Sequence, residues 1–150
     1  MKRLGLWTLL LVSLVACDST RRASAIESEL ARTQRVDLAR VMPGVWDRVC
    51  ILGPYSTDQD AAVLVGAPWS LRDNSSAWAS DGVSALVFVR GNTVVSSLDI
   101  SRAKGDFSAL SDKCFAHSGA RFVRPAASRE LVPESEPNNS FKPKPLRGSA

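Results

Sequence analysis

Hydrophobic and polar positions along the chain divide it into segments of different period. Leu4 to Ala16 is a largely apolar run of 13 residues behind Met1-Lys2-Arg3. From Asp18 to about Met42 the chain turns polar and Arg-rich, with neither Gly nor Pro. Ser24-Ala25-Ile26-Glu27 has capping-box spacing, and Ile26, Leu30, Leu38 and Val41 fall near one helical stripe before Pro43-Gly44 stops it. A weak amphipathic helix is predicted there. Because the stripe has gaps, a spacer is the favoured role, and a helix lying on the domain or pairing with another is the sharper alternative.

The next segments change to β character. Val45 to Leu52 is β-branched and aromatic and ends in Gly53-Pro54, which predicts a strand and a turn. Thr57-Asp58-Gln59-Asp60 offers an N-cap and early acids, and Gly66 with Pro68 is a stop, so a short helix is predicted over about Asp58 to Val65. Trp69 to Asp81 is rich in Ser, Asn and Asp and predicts a loop. Val83 to Arg90 and Thr93 to Ile100 flank Gly91-Asn92, the signature of a hairpin whose first strand, apolar on both faces, is central and helix-covered. Lys113-Cys114-Phe115 leads to Ala120-Arg121-Phe122-Val123-Arg124, a closing strand.

From Pro125 onward come five of the eight prolines, together with Lys142-Pro143-Lys144-Pro145. That composition predicts a disordered or extended tail, either passive or reaching toward cell wall or a protein partner. The expected fold class is α+β: one antiparallel sheet of about four strands with a short packed helix. The expected organisation is a segment 1–16, a tether 17–43, a globular domain 44–124 and a tail 125–150.

The N-terminal run has the length and flanking charge of a signal h-region and is too short for a permanent membrane span. Its end, Leu14-Val15-Ala16-Cys17, resembles the lipobox of bacterial lipoproteins. The resemblance implies cleavage between Ala16 and Cys17, a diacylglycerol thioether on Cys17 and an acylated new amino terminus. A plain secretory signal with Cys17 incidental is the alternative. Multiple acyl chains give stable anchoring, which makes the bilayer itself the first expected partner. The expected location is the periplasmic side of a cell membrane, inner or outer; Asp18 resembles the residue that retains some such proteins in the inner membrane and tilts the choice that way.

Assigning Cys17 to lipid leaves Cys50 and Cys114 of the three cysteines. Outside the cytoplasm this pair is expected to form a disulfide, and closing so long a loop contributes roughly 4 kcal/mol on the chain-entropy model. A metal site needs three or four ligands, and only His117 lies near Cys114, so no metal and no cofactor is expected.

Charge alters the picture less than the totals imply. The chain has 19 Lys and Arg against 15 Asp and Glu, but Lys2 and Arg3 fall in the leader, and residues 43–124 contain about as many aspartates as cations and no glutamate. No concentrated cationic stripe exists, so nucleic acid is not an expected partner.

Candidate chemistry is sparse. His117, the one histidine, sits in Ala116-His117-Ser118-Gly119 without a nucleophile elbow. Asp47, Asp58, Asp60, Asp81, Asp99, Asp106 and Asp112 show no spacing that singles out a carboxylate pair. Asp58 and Asp60 are adequately explained as helix N-terminal acids and Asp106 as a turn former. Trp46 is expected in the core. Trp69 and Trp78, with Tyr55 upstream, are the candidates for an exposed recognition surface, since aromatic side chains bring contact area at small entropic cost.

These features favour a non-enzymatic envelope lipoprotein whose domain binds or regulates another envelope component, an envelope protein being one partner it could take. One alternative is a periplasmic inhibitor or immunity protein against a toxin or lysozyme-type enzyme, although the Ser/Gly-rich and Tyr-containing motifs of known lysozyme-inhibitor lipoproteins are missing. A second alternative is a cell-wall hydrolase using His117 and an aspartate.

Overall fold

The computed structural model describes residues 12–134, with side chains from residue 18. The fold is α+β, built on two antiparallel sheets. Helix α1 (Val12–Thr33) leads into β1 (Arg35–Asp37) and a single helical turn α2 (Leu38–Val41). Strand β2 (Arg48–Leu52) is followed by α3 (Asp58–Val65), α4 (Leu71–Asn74) and a 3-10 turn at Ala77–Ala79. The hairpin β3 (Val83–Arg90) and β4 (Thr93–Ser101) comes next, then β5 (Lys113–Ala116), β6 (Arg121–Val123) and β7 (Val132–Pro133).

The larger sheet has strand order β4-β3-β2-β5, and the smaller has β1-β6-β7. The hairpin forms at the expected residues because Gly91 supplies φ +56° at the first central position of a two-residue turn. Beyond it, Phe88 faces Ser96 while Val89 faces Val94, which leaves Val95 as a bulge residue on the edge strand. The fourth strand of the larger sheet is Lys113–Ala116, paired to β2, whereas the expected closing strand joins the smaller sheet. The strand expected from Val45 begins at Arg48, because Val45 is exposed and Trp46 turns into the core.

Strands β2 and β3 are covered on both faces. Val49, Ile51, Leu86 and Phe88 meet Ile26 and Leu30 of α1, Phe107, Phe115 and Phe122 in one cluster. Cys50, Leu52, Ala85, Val87 and Val89 meet Ala61, Leu64, Val65 and Leu71 in the other. Two-sided burial explains why β3 is almost wholly apolar. Cys50 and Cys114 stand opposite each other on β2 and β5 and are joined as a disulfide, with Cα atoms 4.0 Å apart.

The boundaries expected at 43 and 124 do not delimit the packed unit. Ile26, Leu30, Val36, Leu38 and Met42 are buried, so the segment assigned to a tether is a wall of the first core, and the favoured spacer role is corrected. Glu27 ties α1 to β4 by accepting from the Ser101 amide at 3.3 Å and pairing with Lys104 at 2.8 Å. Gly105 permits close approach here, since a Cβ at that position would lie 2.7 Å from Leu30 Cδ1. At the other end, Leu131 is fully buried and β7 pairs with β6, so residues 125–134 belong to the fold rather than to a tail. Residues 1–11, which hold most of the expected leader, and 135–150, the rest of the expected tail, lie outside the described residues.

Candidate functional site

The α3 to α4 layer covers the face of the larger sheet opposite α1, and polar side chains fasten it there. Thr57 caps α3 as expected, and the structure adds that Asp60 closes a reciprocal capping box with it. Hydrogen bonds from the Thr57 side chain and backbone keep the Asp60 carboxyl below the ordinary aspartate range, against a small opposing effect of burial. Asp58 accepts from the Arg72 amide at 2.9 Å, joining α3 to α4, and Ser70 caps α4 by accepting from the Asp73 amide.

The loop after α4 is fastened to the sheet through Asp99. Its carboxylate accepts from Ser75 Oγ at 2.5 Å, the Ser76 amide at 2.9 Å and Ser76 Oγ at 2.6 Å. The Tyr55 amide donates to the Ala77 carbonyl at 2.7 Å, so Tyr55 and Trp78 project from adjoining backbone. Tyr55 adopts a left-handed φ of +61° and is 63% exposed; Trp78 is 39% exposed. The Arg72 guanidinium lies 4.5 Å from the centroid of a Trp78 ring. Such a stack contributes about 0.5 to 1 kcal/mol at an exposed site and limits the freedom of both side chains. The result is an outward aromatic surface on a braced layer.

Of the three aromatic residues expected at this surface, two are presented. Trp69 is half-buried and packs against the second core cluster, so its role is packing and it is corrected out of the exposed set. A polar surrounding sequence does not separate a loop tryptophan that caps a core from one that leaves it. Arg72 and Val63 were not anticipated. Val63 is detectable by helical phase: Ala61, Leu64 and Val65 point inward, and Val63 lies off that stripe and is 47% exposed.

Other candidate groups are placed differently. Trp46 is buried, donating from Nε1 to the Met42 carbonyl at 3.0 Å. His117 is exposed and tilted over Trp46, their rings 4.3 Å apart, and its amide donates to the Asp47 carbonyl. A cleft of about 630 Å³ is bordered by Asp81, Arg102, Asp106, Arg124, Ser128 and Arg129. Arg102 spans both oxygens of Asp106 at 3.0 Å and reaches the Asp81 carbonyl at 2.8 Å. Arg124 donates to Gln34 Oε1 and the Lys104 carbonyl. These cations fasten neighbouring segments to one another.

Burial pushes the Asp106 carboxyl up, but hydrogen bonds from Arg102 and from the Ser108 hydroxyl and amide outweigh it and hold the group below its ordinary range. Among the described residues, no three His, Cys, Asp or Glu side chains gather as a metal site, and no helix is long and apolar enough to cross a membrane. Cys17 lies on α1.

No protein-family model, curated protein or solved structure matches this chain.

Proposed function

We propose that this chain is an envelope lipoprotein, anchored through acylated Cys17, whose domain captures a partner protein on the Tyr55–Trp78 surface. Its work on this reading is binding, with no reaction catalysed. The observation that carries the reading is the pair of exposed aromatic side chains held on a braced layer, with Arg72 stacked on one of them. Pre-ordered aromatic and arginine side chains lose little entropy on association and are enriched where binding energy concentrates.

The position of the anchor supports the same reading. Cys17 and the core residues Ile26 and Leu30 belong to one continuous helix on the opposite side of the larger sheet from Tyr55 and Trp78. Cys17 precedes Ile26 by nine positions along the helix, a rise of about 14 Å. A bilayer attached at Cys17 therefore meets the α1 side, and the aromatic layer is left open to the periplasm.

The test combines address and capture. Labelled palmitate is incorporated into the wild type and not into Cys17→Ser, which is released from membranes; an unlabelled, soluble wild type would remove the anchor from the account. Tyr55→Ala and Trp78→Ala reduce recovery of a crosslinked partner at least tenfold with thermal unfolding unchanged. Undiminished recovery in both variants would refute this docking surface.

A further inference from the structure

We propose that the exposed row of α1 lies along an anionic bilayer and that the groove beside it receives phospholipid headgroup phosphates. The inference rests on the acyl anchor proposed above and adds the lipid chemistry that orients the domain. At helical spacing Arg21, Ser24, Ser28 and Ala31 follow position 17 along α1, each within about 40° of it around the helix axis. All four are exposed. Acyl chains on Cys17 therefore draw this row toward the lipid, and not the buried stripe of Ile26 and Leu30.

The row is also a wall of a cleft. Ser24, Ser28 and Ala31 border a space of about 470 Å³ together with Glu27, Ala103, Lys104 and Arg124. Ala103 and Arg124 also line the 630 Å³ cleft that holds Arg102 and Arg129, so the two adjoin as a groove beside the anchor-bearing helix. Internal carboxylates do not neutralise all of its cations. Lys104 pairs with Glu27 and Arg102 with Asp106. Arg124 meets only neutral oxygens, Gln34 Oε1 and the Lys104 carbonyl. Among the described residues, the exposed guanidinium groups of Arg129 and Arg21 make no ion pair or hydrogen bond.

The whole domain is polarised in the same sense. Residues 18–42 and 102–134, which include α1, the smaller sheet and most of the groove, carry eleven Lys and Arg against eight Asp and Glu. Residues 43–101, which include the α3 to α4 layer, carry three against six. An anionic surface attracts the first set and repels the second, turning Tyr55 and Trp78 away from the membrane. A basic surface beside an acyl chain is a recognised second signal for membrane attachment.

The test uses the acylated chain purified from membranes and reconstituted in vesicles of phosphatidylcholine, either pure or with about 30% phosphatidylglycerol to supply an anionic surface potential. Arginines are modified with phenylglyoxal and mapped by mass spectrometry. Arg21 and Arg129 are expected to react at least threefold more slowly on the anionic vesicles, with Arg72 unchanged, and roughly 0.5 M salt is expected to remove the difference. Arg124→Gln with Arg129→Gln is expected to lower the protection of Arg21 at least twofold. Should Arg124→Gln disturb the contacts to Gln34 and Lys104, Arg129→Gln alone is expected to lower it at least 1.5-fold.

Equal protection on both kinds of vesicle, or protection indifferent to the substitutions, would overturn headgroup recognition while leaving the anchor in place. Slower modification of Arg72 in place of Arg21 would overturn the orientation. Protection by inorganic phosphate without vesicles would put a small soluble anion in the groove and overturn the bilayer assignment. A chain whose intact mass shows no acyl groups would refute the anchor itself, and this inference with it.

Discussion

Replacing Leu30 by alanine tests whether α1 is a wall of the domain. The side chain is fully buried in the first cluster, and the backbone at Gly105 closes over it. Removing a buried leucine side chain to Cβ forfeits its transfer free energy and leaves a cavity, together about 2 to 5 kcal/mol. A loss of about 3 kcal/mol is a large part of the roughly 5 to 15 kcal/mol that holds a domain together. With a urea slope of about 1.5 to 2 kcal/mol per molar, the midpoint should fall by roughly 1.5 to 2 M. The assay is urea unfolding with the disulfide intact, followed by tryptophan fluorescence, to which Trp46 of the same cluster contributes. Arg32→Ala is the control, since Arg32 is exposed and paired only locally with Glu29, and it should change stability by no more than about 0.5 kcal/mol. If Leu30→Ala unfolds at the same urea concentration as this control, α1 is a spacer after all.

Two further outcomes follow from buried polar groups. Ser84 is fully buried on β3 and its hydroxyl has no hydrogen-bond partner, so Ser84→Ala should leave stability unchanged or raise it by about 1 kcal/mol, measured by the same unfolding curves. Asp106 and Asp60 both titrate below their ordinary values, so each stabilises the fold above the unfolded-state pKa and loses that contribution as pH falls through the folded-state pKa. Stability should therefore decline below about pH 4, and Asp106→Asn should make that decline shallower in thermal melts taken from pH 6 to pH 2. An acid limb of unchanged steepness in Asp106→Asn would remove Asp106 from this explanation.

What could be read from sequence was local. The hairpin and α3 carry their own signals: two β-rich runs around Gly91-Asn92, and a Thr57 cap with early acids followed by a Gly66 stop. Of the smaller sheet only β6 was legible, as the expected closing strand, and the sheet it joins was not. Its strands are two or three residues long, and Val36 acquires its partner, Phe122, from the far end of the chain. The packing of α1 was obscured by a missing stop signal. Gln34 takes the left-handed position that ends the helix, with φ +58° and its amide bonded to the Leu30 carbonyl, a place where glycine is usual. Ile26 and Leu30 thus belong to one element and Leu38 and Val41 to another, and the apparent gaps in a single stripe mark a reversal of the chain. At the candidate site, polar surroundings pointed to Tyr55 and Trp78. The role of Asp99 in holding their loop depends on a contact between residues far apart in sequence.

Site-specific photocrosslinking in intact cells tests the central claim most directly. A photoreactive amino acid is placed at Tyr55 or Trp78, and for comparison at Arg32 on the exposed side of α1. The docking account predicts a discrete adduct from positions 55 and 78 that is absent from position 32 and weakened by Arg72→Ala. Adducts from position 32 alone, or equal adducts from all three positions, would contradict it.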